Sequence, residues 1–220
     1  MRILHCTDFH ANTHWFDWLV DTAPTFDLVC FTGDLLDILA PSGIDRQLVT
    51  AAAGIARISV PVAICSGNHD LLPRLPPLLH HKWMANLRRQ NVWLDGDQFQ
   101  ISGQRFRCVG WNGKHPCRHN EEVWLHHAPP GGSLVSCDAE GGDAGDDILQ
   151  DLCLRDLGPA IVLSGHQHHP VEWECRVGLT RCFNPGYNMR ATVPNHIVID
   201  TVKRTAVLRV HGADTRLTKI

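Results

Sequence analysis

Five short clusters in this 220-residue chain bring carboxylate, amide and imidazole groups together. They are Asp8-Phe9-His10, Gly33-Asp34-Leu35-Leu36-Asp37, Gly67-Asn68-His69-Asp70, His126-His127 and Gly165-His166-Gln167-His168. Such donors suit hard to borderline divalent cations: Mn, Fe, Zn or Mg. No cysteine belongs to the set, which argues against a structural zinc. In D-x-H and H-x-H, residues i and i+2 of an extended or turning strand end point the same way, so both can grip one ion or a pair. Glycine ahead of Asp34, Asn68 and His166 permits positive φ and close backbone approach. Each cluster alone has a plainer reading, such as a helix cap at Asp34 or turn residues at Asn68-His69. Five in succession, each at the end of an expected strand, make coincidence a poor account.

The elements that must position these residues alternate over the first 70 positions. Ile3 to Cys6 is a short apolar strand, and Trp15, Trp18 and Leu19 fall at helical spacing behind Asn12 or Thr13 as cap. Asp27 to Thr32 is a second buried strand. Ile44 to Ile58 is a helix with Ile44, Leu48, Ala52 and Ile55 on one face, and Pro61 to Ser66 is a third strand. This βαβαβ pattern predicts a parallel sheet. Ligands of α/β sheets gather outside the carboxyl ends of the strands, so separate segments can converge on one crevice.

Further along, Leu71 to Pro77 is proline-rich and His80 to Gln90 has a helical pattern. Phe99 to Val109 reads as two strands turning at Ser102-Gly103. Glu122 to His126 is a strand ending before Pro129-Pro130. Gly131 to Gly145 reads as a glycine-rich, acidic, mobile loop. Asp146 to Leu157 is an amphipathic helix and Ile161 to Ser164 a buried strand. Val171 to Cys175, Thr180 to Phe183, His196 to Asp200 and Ala206 to Val210 read as an antiparallel ribbon. One α/β domain spanning residues 1–220, with two packed sheets, is the economical organisation.

Composition narrows the function classes. The formal net charge of -3 offers no basic footprint for nucleic acid. There are nine cysteines and no CxxC pair; Cys6, Cys30 and Cys65, each near the end of an apolar run, read as small buried hydrophobes in a reducing compartment. Cys175 and Cys182 are placed to face each other across a hairpin, yet the composition points to the cytosol. The first residues enter a strand without a signal-peptide pattern, and no apolar run approaches the ~20 residues of a membrane span. The expectation is a soluble cytoplasmic protein; the oligomeric state is not legible.

The order D-x-H, G-D-x-x-D, G-N-H-D, H, G-H-x-H resembles the motif set of the calcineurin-like metallophosphoesterases. The resemblance runs from Asp8 to His168 and extends to Asn184-Pro185-Gly186, similar to that family's late N-P-G turn. It implies a two-sheet β-sandwich flanked by helices, a four-layer α/β/β/α arrangement. It also implies two divalent ions, manganese first among Mn, Fe, Zn, Mg and Ni. By resemblance, Asp8, His10 and His168 would hold one ion, Asn68, His126 and His166 the other, and Asp34 would bridge. Of the two adjacent histidines the resemblance favours His126, leaving His127 near substrate or solvated. His69 would stand by the leaving group, Asp70 would orient it, and Asp37 would lie behind the ligands.

Two ions about 3.5–4 Å apart would lower the pKa of a shared water and clamp phosphate oxygens, so that a metal-bound hydroxide attacks phosphorus in line. The expected activity is hydrolysis of a small phosphate monoester or diester, including nucleotide-derived ones. A nuclease or nucleotide pyrophosphohydrolase is the alternative within the family, disfavoured by the acidic balance. A non-catalytic interaction scaffold would be expected to lose ligands; this sequence keeps all seven and His69.

Overall fold

The computed structural model describes residues 1–40, 43–72, 82–115 and 122–220. The N-terminal part alternates as expected: β1 (Arg2–Cys6), α1 (Thr13–Thr22), β2 (Leu28–Thr32), α2 (Ile44–Arg57) and β3 (Val62–Cys65). Asn12, not Thr13, caps α1; its side-chain oxygen accepts from the backbone of His14 and Trp15. A 3₁₀ helix at Lys82–Leu87 and the two-residue β4 (Val92–Trp93) follow. The helical reading of His80 to Gln90 is therefore shortened, and its first two histidines lie outside the described residues. Next come β5 (Gln98–Ile101), β6 (Gln104–Val109), β7 (Glu122–His126), α3 (Asp147–Leu154) and β8 (Ile161–Leu163). The chain closes with β9 (Glu174–Val177), β10 (Thr180–Phe183), β11 (His196–Asp200), β12 (Thr205–Val210) and β13 (Ala213–Lys219).

Among the described residues the strands form two sheets, ordered β13-β12-β11-β1-β2-β3-β4 and β5-β6-β7-β8-β10-β9. β1, β2, β3 and β4 pair in parallel, as do β6, β7, β8 and β10. The C-terminal strands do not make one ribbon. β9 and β10 pair with each other and extend the second sheet through β8, whereas β11 and β12 extend the first through β1. Sequence alternation reveals a strand but not the sheet that receives it.

Side-chain alternation along the strands builds the layers. Ile3, Leu28, Cys30 and Ala63 of the first sheet face Phe106, Val123, Leu125 and Phe183 of the second. Leu4, Val29, Phe31 and Ile64 point to the other side, where Trp15, Phe16 and Leu19 of α1 and Ala51 and Ile55 of α2 cover them. Leu149 and Cys153 of α3 cover Trp124, Val162 and Cys182 on the outside of the second sheet. The arrangement is helices, sheet, sheet, helix. With both faces covered, β2 and β3 read as nearly continuous apolar runs. Each large side chain removed from water here contributes about 1.5–3 kcal/mol.

The segment from Gly131 to Gly145 is tied down rather than loose. Ser133 Oγ donates to the Pro130 carbonyl, and Asp138 Oδ1 accepts from the backbone of Glu140 and Gly142. Val135 and Ser136 are fully buried. Short polar side chains that cap their own turns supply the order that the glycines would otherwise remove. Cys175 and Cys182 are register partners in the β9–β10 pair and are free thiols. Among the described residues no helix is long and apolar enough to cross a membrane.

Candidate metal centre

The carboxyl ends of β1, β2 and β3 meet those of β7 and β8 at one rim of the sandwich, and the five clusters lie there. The loops after β1 and β2 continue the pairing of their strands: Asp8 N donates to the Gly33 carbonyl, His10 N to Asp34 and Ala11 N to Leu35. Asp8, His10, Asp34 and His166 all have positive φ, at 55°, 46°, 58° and 64°. Such conformations cost of the order of 1–3 kcal/mol for non-glycine residues and concentrate at functional sites. The D-x-H unit is thus the turning end of its strand. Gly67, with φ of -108°, serves by being small: a Cβ there would collide with the Asp34 carboxylate.

Asp34 stands at the centre. Its Oδ2 lies 3.9 Å from His10 Nε2 and 3.2 Å from His127 Nε2, and its Oδ1 accepts from His69 N. On one side His168 Nε2 is 3.3 Å from Asp8 Oδ1 and 3.3 Å from His10 Nε2. On the other, Asn68 Oδ1 is 3.1 Å from His127 Nε2, and the His166 ring centroid is 5.0 Å from that of His127. Asp8 Oδ2 accepts from Thr7 Oγ1 and His166 N, while its buried Oδ1 makes no well-formed hydrogen bond and faces only the His168 and His10 imidazoles. A buried carboxylate oxygen so weakly satisfied is costly, and a cation would satisfy it.

His126 does not join this group. Adjacent residues at the end of an extended strand point to opposite sides. His127 faces the cluster, while His126 turns toward His115 and Asp146. His127 Nδ1 donates to the Thr32 carbonyl at 2.6 Å, which aims its Nε2 at Asp34 and Asn68. Asp70 also departs from expectation. Its carboxylate accepts from the backbone N–H groups of Asp34, Leu36 and Gly67, bracing the loops rather than His69. Asp37 is the carboxylate near His69, with Oδ1 3.4 Å from Nδ1. His69 itself lies close to the group, its ring 4.7 Å from that of His10.

The electrostatics report crowded negative charge. Burial raises Asp8 and Asp34, but His168, His127 and His10 around Asp8, and His127 and His10 around Asp34, more than reverse this and hold both carboxyls below their ordinary range. Burial lowers His127, yet Asp34 and Asp8 outweigh it and lift the imidazole to about 9. Burial and the neighbouring His127 push His166 down to about 4. Burial and the Asp34 charge raise Asp70 to about 8. A pocket that pulls a proton onto a buried histidine would accept other positive charge in its place.

Three further residues support the group. Trp111 packs edge-on against His127 and His166. Tyr187, the chain's single tyrosine, sits 4.5 Å from His168 and 5.1 Å from His10 between ring centroids. Asn184 Nδ2 lies within hydrogen-bond distance of the Val135, Gly165 and Gln167 carbonyls, which fixes the loop carrying His166 and His168. Asn184 opens the N-P-G turn that is legible in the sequence, whereas nothing there singles out Trp111.

A family model for calcineurin-like phosphoesterases matches residues 1–170. The chain belongs to that family. Solved structures with the same fold include TT1561 of Thermus thermophilus, 14% identical with a TM-score of 0.64, covering 96% of this chain and 98% of that one. An archaeal phosphodiesterase is 13% identical with a TM-score of 0.59, covering 96% and 99%. The purple acid phosphatase PPD1 from yellow lupin seeds is 14% identical with a TM-score of 0.63, covering 99% of this chain and 53% of that one. No curated protein matches the sequence.

Proposed function

We propose that this phosphoesterase hydrolyses small phosphate monoesters or diesters at a pair of divalent ions, with manganese as the preferred metal. The observation that carries the reading is the position of Asp34 Oδ2 between His10 and His127. That is where a carboxylate shared by two ions would stand. Asp8, His10 and His168 would hold one ion; Asn68, His127 and His166 would hold the other. The oxygen and imidazole donors, with no thiolate, suit Mn or Fe over softer ions. When bound, such a pair supplies a nucleophile at neutral pH and neutralises charge on phosphate oxygens.

The chain's own groups do the rest. His127 is oriented by its Nδ1–H bond to Thr32, and His168 by contact with Tyr187. His69, partly exposed and facing Asp37, is placed to hold a proton near the departing oxygen. Asp70 keeps the loops of Asp34 and Asn68 in register. The formal charge of -3 favours a small substrate over a polyanion. The test is a panel of chromogenic phosphate mono- and diesters with chelator-treated protein, with and without Mn²⁺. Hydrolysis restored by the metal is the expected result. Inactivity on every ester at two bound ions per chain would overturn the reading.

A further inference from the structure

The histidine that turns away from the cluster has partners of its own. His126 Nε2 lies 3.1 Å from His115 Nε2 and 3.7 Å from Asp146 Oδ2, and His115 Nε2 lies 3.3 Å from the same Asp146 oxygen. Three side chains from three places meet: the end of β7, the segment after β6 and the N-cap of α3. Tetrahedral zinc with bonds of about 2.0–2.1 Å sets its ligand atoms about 3.3 Å apart. The three separations straddle that value.

Proton counting supports a cation. His126 Nδ1 must donate to the Ala128 carbonyl, 2.7 Å away, so the neutral ring presents a bare Nε2 lone pair. Asp146 uses Oδ1 to cap α3 through Leu149 N, which leaves Oδ2 facing the histidines. Of these three mutually close polar atoms, His126 Nε2 and Asp146 Oδ2 are both acceptors, with His115 Nε2 beside them. A divalent ion would satisfy all three at once. His126 is buried and oriented through its second nitrogen, as metal-binding histidines usually are. Asp146 is held by its backbone, its N–H on Pro129 and its carbonyl on Gly131.

We infer that His115, His126 and Asp146 form a third divalent-cation site, of zinc type, with two imidazoles, one carboxylate and an open fourth position for water. It is separate from the pair proposed around Asp34 and does not depend on it. Its place suggests its effect. The segment running from Trp111 to His115 would be pinned to β7 and α3, keeping Trp111 against His127 and His166.

The experiment counts zinc per chain after chelator treatment, reloading with zinc chloride and desalting, in the full chain and in His115→Ala and Asp146→Ser. Serine also caps a helix, so the second variant keeps α3 while removing the carboxylate. The expected result is one zinc fewer in each variant than in the unaltered chain. Cobalt substitution should give intense tetrahedral visible bands that Asp146→Ser diminishes. Equal zinc in the unaltered chain and Asp146→Ser would overturn the inference, and so would the loss of two ions together. A chain that binds a single zinc, lost in Asp146→Ser, would uphold this site and sink the paired one.

Discussion

His127 Nε2 stands 3.2 Å from Asp34 Oδ2, which joins the end of β7 in one sheet to the end of β2 in the other. That contact selects between two adjacent histidines. On the proposed chemistry, His127→Ala should lose at least one of the two central ions. Its kcat should fall by more than about 10²-fold, since even disturbing a ligand's partner costs 10–100-fold. Metal analysis alongside phosphoester turnover measures both. Full metal content with an unchanged rate would return the role to His126.

His69 should behave differently. His69→Ala is expected to keep its metal while kcat falls by about 10²–10⁴, the usual range for a lost proton donor. A variant that comes out of purification without metal would make His69 a ligand instead.

Asp70 is a brace, so its loss should register in stability. Asp70→Ala strands three N–H groups, those of Asp34, Leu36 and Gly67. At about 1–3 kcal/mol for each buried donor left alone, the cost should be roughly 3 kcal/mol or more. Chemical denaturation of the metal-free protein gives the number. A change below about 1 kcal/mol would contradict the bracing role.

Acid should weaken the fold through His5. Burial, opposed in part by the Asp8 charge, pushes this imidazole down to about 3, and its Nε2 meets Thr32 Oγ1 at 2.9 Å. The unfolded chain takes up the proton near its ordinary value of about 6.5, while the folded chain resists it. Stability is therefore full above that value and drains as pH falls toward 3. From pH 7 to pH 5 this group alone accounts for about 2 kcal/mol. His5→Gln should flatten that limb by a similar amount in denaturation curves at the two pH values. An identical pH dependence in both proteins would remove His5 as the cause.

Much of this site was legible because its signals are local. Asp8, His10, Asp34, Asn68, His166 and His168 each lie at the end of an apolar run, and strand polarity alone brings such ends to one rim. The choice between His126 and His127 was not legible, because it depends on which side of β7 the strand's last residue faces. The partner of Asp70 was hidden for a related reason: it is main chain, and main-chain N–H groups look alike in every sequence. The destinations of β9, β10, β11 and β12 depend on pairings across the whole chain. The turns of Gly131 to Gly145 depend on Asp138 and Ser133 reaching their own backbone, which glycine content obscures.

The hydrogen bonds that run on past β1 and β2, from Asp8 to Gly33, His10 to Asp34 and Ala11 to Leu35, make those two loops a single stiff plate. Asp8, His10 and Asp34 cannot be repositioned one at a time. On the proposed chemistry, an ion of different radius would be accommodated by the opposing imidazoles, His127, His166 and His168, which come from the other sheet. Preference among metals would then be tuned from one half of the molecule, while the other half supplies an anvil that hardly yields.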